Sequence, residues 1–162
     1  MAAYYDASVI LAIVLGEGDR DMLLGAWNAE HTRVSSLLIR PECFVSIRRI
    51  ASWARDGSPD EPPLASVDDN LATVADYLEK VECKPLDATI ADLVQSDRRL
   101  ARCRTLDAIH AATALWFQPH MDEPLRICSL DFRLRALARD LAFPVLPKSV
   151  PGEQSTDQKR KS

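Results

Sequence analysis

The sequence predicts a single α/β domain in which helices cover a central parallel β-sheet. Short apolar stretches alternate along the chain with longer segments whose apolar residues recur at helical spacing. The 162 residues, of which 47% are hydrophobic and 27% charged, suffice for one domain with its own core. Ligands of such sheets bind outside the carboxyl ends of the strands, so the residues that follow each strand are the candidates for a functional site.

The chain begins with an apolar stretch that predicts a strand at residues 2–6, because it contains two tyrosines, which favour strands. Ser8 is the expected N-cap of a helix over residues 9–16, and Gly16 can close that helix in the left-handed conformation. The carboxylate Asp6 interrupts this apolar stretch. It needs a reason, since an unpaired buried carboxylate is costly.

The next part of the chain predicts a short helix at 19–30 and a second strand at 32–36, where the sequence is β-branched. A long helix is expected within 37–57, because its apolar residues lie close to helical spacing. Pro41 fits in the first turn of that helix, where a missing N–H is harmless. The proline-rich residues 58–65 then predict a loop.

Three helices and a weak strand are predicted in the middle of the chain. Ser66, followed three residues later by Asp69, resembles a capping box. Asp87 and Thr105 are the expected caps of the two later helices. The elements are a helix at 66–80, a strand at 81–86, and helices at 87–101 and 105–117.

The C-terminal part predicts a short apolar strand at 125–131 that ends in a carboxylate, a helix over 131–142 and a last strand at 143–147. Residues 149–162 are polar and without periodicity, so we expect a disordered tail after a domain at 1–148.

Composition and charge exclude several classes of protein. The formal net charge of −4 is not that of a typical nucleic-acid-binding domain, although arginines cluster in two short segments. The four cysteines form no C-x-x-C pair and fit neither a zinc ribbon nor a disulfide framework, so we expect core thiols in a reducing compartment. The N-terminus lacks the basic start of a signal peptide, and its apolar run is too short to span a bilayer. We therefore expect a cytoplasmic protein.

Four carboxylates stand out by their positions. Asp6 and Asp131 follow predicted strands, while Glu42 and Asp107 lie in the first turns of predicted helices. Each also has a structural explanation, because acids in a first helical turn interact favourably with the helix dipole and Asp6 can cap a helix.

Together, four carboxylates at one sheet edge would repel one another, and a divalent cation would relieve that repulsion. Mg²⁺ or Mn²⁺ prefers oxygen ligands, and two such ions can clamp the attacking and leaving oxygens in phosphodiester hydrolysis. The sequence offers no cluster of cysteine and histidine for a soft metal and no glycine-rich phosphate loop.

The order of Asp6-x-Ser8, Glu42, Asp107 in "LDAIHAATA" and Asp131 in "SLDFRLRALA" resembles the PIN domain, and more narrowly the VapC-type toxins. The resemblance implies a three-layer α/β/α sandwich with a central parallel sheet and a metal-dependent endoribonuclease that acts on RNA with Mg²⁺ or Mn²⁺. It implies that the acidic quartet is Asp6, Glu42, Asp107 and Asp131, with Ser8 and Ser129 in support. It also implies a homodimer and a small antitoxin partner, of VapB type, that restrains the toxin.

Alternatives remain open for single residues and for the whole chain. Arg48 and Arg49 lie about two turns after Glu42, so they either face RNA phosphates or belong to a solvated helix face. His110 shares a helix face with Asp107 and is expected to be a packed helix residue rather than a general acid or base. The chain could also be a catalytically inactive PIN-like module that binds RNA or protein, or a different α/β enzyme such as a phosphotransferase.

Overall fold

The computed structural model of the chain describes residues 1–55, 67–150 and 152–153. Within these ranges five parallel strands form one sheet in the order β3-β2-β1-β4-β5. The strands are β1 (Ala2–Tyr5), β2 (Thr32–Ser36), β3 (Glu82–Lys84), β4 (Arg126–Cys128) and β5 (Val145–Leu146). The helices are α1 (Ala7–Leu15), α2 (Arg20–Ala29), α3 (Ile39–Arg55), α4 (Val67–Leu78), α5 (Ala88–Ser96), α6 (Thr105–Phe117) and α7 (Phe132–Asp140).

The sheet is the middle layer of a three-layer sandwich. Successive side chains of a strand point to opposite faces, and β1 contributes to two separate apolar clusters in this way. Ala2 and Tyr4 pack with residues of α5, α6 and α7 on one face. Ala3 and Tyr5 pack with residues of α1, α2, α3 and α4 on the other. The predicted α/β/α arrangement with a central parallel sheet is therefore confirmed.

β1 is the central strand of the sheet, so the residue that follows it lies in the middle of one sheet edge. All four of its residues are buried. β1 pairs with β2 on one side and with β4 on the other. The backbone N–H of Asp6, directly after β1, still bonds to the carbonyl of Cys128 at 3.0 Å. The carboxyl ends of β1 and β4 thus lie together, as the sequence predicts for a parallel sheet.

Two predicted helix caps are wrong, because each helix starts earlier than the predicted cap requires, by two residues in α1 and by one residue in α6. Asp6, not Ser8, is the N-cap of α1, because Asp6 keeps an extended backbone and its side chain accepts from the Ser8 N–H at 3.3 Å. Thr105 is the first residue of α6 rather than its cap, and the N-cap Arg104 makes no capping bond with its side chain.

Two other end signals behave as predicted, and one helix is shorter than expected. Gly16 closes α1 with φ 73°, and Asp87 caps α5 by accepting from the Ile90 N–H at 3.2 Å. The expected helix at 87–101 ends at Ser96. The Asp97 side chain accepts from the Arg99 N–H, which starts a separate 3₁₀ turn.

Several expectations fall outside the described residues: the loop at 58–65, the capping box that begins at Ser66, and residues 154–162 of the tail. Of the segment expected to be disordered, Glu153 is described and forms ion pairs with Arg135 and Arg139 at 2.8 and 2.7 Å. The domain boundary at residue 148 stays a prediction.

The cysteines are free, and Cys43 and Cys128 lie wholly in the core, as the sequence predicts. Burial raises the pKa of each of these two thiols to about 12. In the described part of the chain we find no helix with the length and apolar character needed to cross a membrane.

Candidate active site

Asp6 is a buried carboxylate that is held by two serines. The side chain is only 7% exposed, so its charge is costly unless hydrogen bonds or a cation stabilise it. The Ser8 and Ser129 hydroxyls both donate to Oδ2 of Asp6, the second at 3.0 Å. Every hydrogen bond that the described residues make to the Asp6 carboxylate ends on Oδ2, so Oδ1 keeps its lone pairs for a ligand.

The same two serines tie Asp6 to the turn after β4. Ser8 Oγ accepts from the Leu130 N–H at 2.9 Å, and Ser129 Oγ accepts from the Asp131 N–H at 3.0 Å. Each hydroxyl therefore donates to Asp6 and accepts from the turn, which uses both functions of the group. The residues that the sequence placed beside the first acid thus lie in contact with it.

Glu42 reaches the site from the first turn of α3. His110 Nε2 lies 3.3 Å from Oε1 and 3.2 Å from Oε2, and only the contact with Oε1 has the geometry of a hydrogen bond. Oε2 is buried and has no hydrogen-bond partner among the described residues. An orphaned buried oxygen of this kind is costly and calls for a partner that supplies positive charge.

Asp107 and Asp131 complete the acidic edge. Asp107 lies in the first turn of α6, and Asp131 caps α7 by accepting from the Arg133 and Leu134 N–H groups at 2.7 and 3.2 Å. Burial, and next the charge of Asp131, raise the pKa of Asp107 above its usual range. The two carboxylates therefore interact although they come from different helices.

All four predicted acids line one open cavity of about 360 Å³. Oxygens of Asp6 and Glu42 and a nitrogen of His110 lie within 4.8 Å of one another, while Asp107 and Asp131 lie outside this inner group. Carboxylate oxygens are the ligands that Mg²⁺ and Mn²⁺ prefer, and both Asp6 Oδ1 and Glu42 Oε2 lack a hydrogen bond among the described residues. The donor set therefore fits a hard divalent cation.

The arginines of the cavity are not the ones that the sequence singled out. Arg104 and Arg133 line it together with the acids. Arg48 and Arg49 are exposed on α3 and are not among its lining residues. The Arg48 guanidinium lies 6.0 Å from the centre of the Phe44 ring, and Arg49 borders an apolar groove between α1 and α3.

His110 is the residue of the site that the sequence analysis undervalued. It is packed as expected, with 3% exposure, but it also contacts Glu42 and, through Nδ1, the Tyr4 hydroxyl at 2.7 Å. Burial lowers the pKa of His110, yet the bond to Glu42 and the charges of Asp6 and Asp107 outweigh it and raise the pKa overall. The spacing of one helical turn from Asp107 was the available signal.

Three comparisons with known proteins agree with this geometry. Residues 3–142 match the PIN domain. Over 148 residues the chain is 30% identical to Ribonuclease VapC46 of Mycobacterium tuberculosis (strain ATCC 25618 / H37Rv), which covers 91% of this chain and 98% of that protein. A solved structure described as a toxin-antitoxin complex from Klebsiella pneumoniae superposes with a TM-score of 0.57 at 17% identity, over 92% of this chain and 96% of the other. At that identity the superposition speaks for the fold alone.

Proposed function

Because this chain belongs to the PIN-domain family, we propose that it is an endoribonuclease that depends on Mg²⁺ or Mn²⁺ and acts as the toxin of a type II toxin–antitoxin pair. The observation that carries the proposal is the convergence of Asp6, Glu42, Asp107 and Asp131 on one cavity. The ribonuclease relative of near-equal length supports the reaction class. An inactive binding module would have no need of this acidic set.

In this proposal Asp6 and Glu42 hold the cation through the two oxygens that lack hydrogen bonds. A bound divalent ion would activate a water molecule for attack on the scissile phosphorus and stabilise charge on the leaving 3′-oxygen. Ser8 and Ser129 keep the Asp6 carboxylate in one orientation by their bonds to Oδ2. A rigidly supported ligand binds a cation with less loss of entropy.

Asp107 and Asp131 take a second role at the outer side of the cavity. The pKa of Asp107 is raised because its negative charge lies in a partly buried site near the charge of Asp131. A cation in the cavity would offset this unfavourable electrostatic energy, so both residues favour cation binding directly or through water. Because Asp131 lies outside the inner group of Asp6, Glu42 and His110, we assign it to contact through water.

RNA contacts are proposed for Arg104 and Arg133, which line the acidic cavity. Each guanidinium can pair with a phosphate oxygen next to the scissile bond, and such pairs position a nucleic acid without reading its sequence. RNA contact by Arg48 and Arg49 stays a prediction for a substrate long enough to reach beyond this cavity, because neither residue lines it.

A small antitoxin, a homodimeric assembly and a cytoplasmic location complete the proposal. The matched structure is described as a toxin-antitoxin complex, which supports a protein partner of this kind. An arginine supplied by such a partner could pair with the acidic residues and displace the cation. The four free cysteines agree with a reducing compartment, where RNA is also available.

The experiment is a cleavage assay with purified full-length protein and total RNA. We expect cleavage with Mg²⁺ or Mn²⁺, no cleavage with EDTA, and no cleavage by Asp6→Ala at either cation. Glu79→Gln, which changes an exposed carboxylate outside the cavity, serves as the matched control and should cut like the parent. If Asp6→Ala cuts RNA as fast as the parent, the proposed mechanism is wrong.

The toxin role needs its own test, because a nuclease can also serve RNA processing. Induced expression of the protein should arrest growth, and Asp6→Ala should relieve the arrest. Normal growth at verified expression of active nuclease would contradict the toxin role and leave the nuclease activity intact.

A further inference from the structure

His110 is a buried side chain whose two ring nitrogens both have partners, and the mechanism above gives it no task. Nδ1 lies 2.7 Å from the Tyr4 hydroxyl, and Nε2 lies 3.3 Å from Oε1 of Glu42. The ring therefore links the centre of the sheet to one of the acids. Which nitrogen carries a proton decides whether the ring can bind a cation or only position Glu42.

The hydrogen bonds of Tyr4 favour one arrangement of the protons. A tyrosine phenol is protonated at neutral pH, so the Tyr4 oxygen has a proton to donate. That oxygen accepts from the Ser36 N–H at 3.0 Å. The neighbouring Ser35 hydroxyl donates its proton elsewhere, to the Tyr5 carbonyl at 2.7 Å. The shortest contact of the phenol oxygen is the one to Nδ1 of His110, and we assign the phenol proton to that bond when the imidazole is neutral.

A neutral imidazole that accepts at Nδ1 must carry its proton on Nε2. A protonated imidazole carries protons on both nitrogens. In either form Nε2 has a proton directed at Glu42, and it donates rather than accepts. With this assignment the nitrogen closest to the acidic residues does not ligate a cation, although it lies within 4.8 Å of the Asp6 and Glu42 oxygens.

The proton on Nε2 determines which oxygen of Glu42 is free to bind a cation. Its Oε1 is held by the Nε2–H, whereas its buried Oε2 has no hydrogen-bond partner among the described residues. We propose that His110 is a positioning residue, which fixes Oε1 of Glu42 so that Oε2 is presented to a divalent cation shared with Asp6. Hydrogen-bonded partners behind a ligating carboxylate commonly change metal affinity by about 10-fold to 100-fold. The inference rests on the proposed function, because it assigns the cation to this acidic site.

The test is a Mn²⁺ titration of the full-length protein, followed by electron paramagnetic resonance in the absence of RNA. His110→Gln and His110→Asn form a matched pair: both are amides, but only glutamine places its nitrogen near the position of Nε2. We expect His110→Asn to weaken Mn²⁺ binding by about 10-fold and His110→Gln to stay within about threefold of the parent. Equal affinity of the asparagine variant and the parent would overturn the proposal.

A measurement on the unaltered protein covers the case in which a variant does not fold. Nitrogen-15 spectra of the histidine rings report which nitrogen is protonated. We expect Nε2 of His110 to be protonated before and after saturation with Mg²⁺. Loss of that proton on Mg²⁺ binding would make His110 a ligand and refute the positioning role.

The variant Asp6→Asn distinguishes a failure of the proposed cation site from a failure of the positioning role of His110. It should abolish Mn²⁺ binding at this site. If Mn²⁺ binds equally well to Asp6→Asn, the cation is not at the acidic cavity, and the proposed function fails together with the inference. If Asp6→Asn loses Mn²⁺ while both His110 variants keep it, only the positioning role is wrong.

Discussion

Replacing Glu153 by glutamine should destabilise the domain in a way that depends on pH. Arg135 is wholly buried and donates to Glu153 through Nε at 2.9 Å and Nη2 at 2.8 Å. Arg139 adds a bond of 2.7 Å from the surface. The remaining Arg135 donors reach backbone carbonyls around β4 and β5, at Ser129, Leu146 and Pro147. Glu153 is therefore the counter-charge of a buried guanidinium.

The magnitude follows from the pKa of Glu153. The hydrogen bonds from Arg135, and next from Arg139, lower this pKa from 4.5 to about 2. A shift of this size corresponds to about 3 kcal/mol of stability at neutral pH. Screening by solvent reduces this value, because Glu153 is half-buried rather than enclosed. We expect Glu153→Gln to lower the free energy of unfolding by about 2 kcal/mol at pH 7.

The sign of the pH dependence is fixed by the direction of the shift. A carboxylate whose pKa is depressed in the folded state contributes its stability above the unfolded pKa and loses it as pH falls toward the folded pKa. The difference between parent and Glu153→Gln should therefore be constant above about pH 5.5 and shrink by more than half by pH 3. Urea unfolding followed by tryptophan fluorescence measures it, with Glu79→Gln as the control. A difference that does not change between pH 7 and pH 3 would refute the reasoning.

Three further outcomes follow from the described contacts. With a short RNA that does not reach beyond the cavity, Arg104→Ala should raise the KM and reduce the salt dependence of binding by about one charge, whereas Arg48→Ala should change neither; equal effects would contradict the RNA contact assigned to Arg104. Cys43 and Cys128, with pKa values near 12, should not react with a thiol reagent at pH 8 until the protein is unfolded in urea, and fast labelling would contradict their burial. Asp87→Ala should lower the free energy of unfolding measured in urea, since it removes the cap of α5; an unchanged unfolding midpoint would contradict this role.

The sequence predicted the fold because its signals are local and agree with one another. Apolar strands alternate with amphipathic helices, and glycine at 16 and aspartate at 87 mark helix ends by their own conformational preferences. The wrong caps at Ser8 and Thr105 have a common origin. Pattern alone cannot tell which of two neighbouring polar residues keeps the extended backbone that a cap needs.

The four acids were found from sequence because each directly follows a strand or opens a helix, and parallel topology brings those points together. Other parts of the site depend on distances across the fold. Tyr4 and His110 are 106 positions apart in the sequence, and their contact exists only because α6 packs on β1. The sequence did not point to Arg104 and Arg133 as cavity residues for the same reason, and RNA contact by Arg48 and Arg49, which do not line the cavity, stays a prediction.

The measurement that tests the central claim most directly is the chemical identity of the RNA ends formed by the parent protein with Mn²⁺. Attack by water with departure of the 3′-oxygen leaves a 5′-phosphate and a 3′-hydroxyl. We predict these ends, formed with Mn²⁺ and absent with EDTA or with Asp6→Ala. Fragments that carry a 2′,3′-cyclic phosphate and a 5′-hydroxyl, or cleavage that persists in EDTA, would contradict hydrolysis at a cation held by these carboxylates.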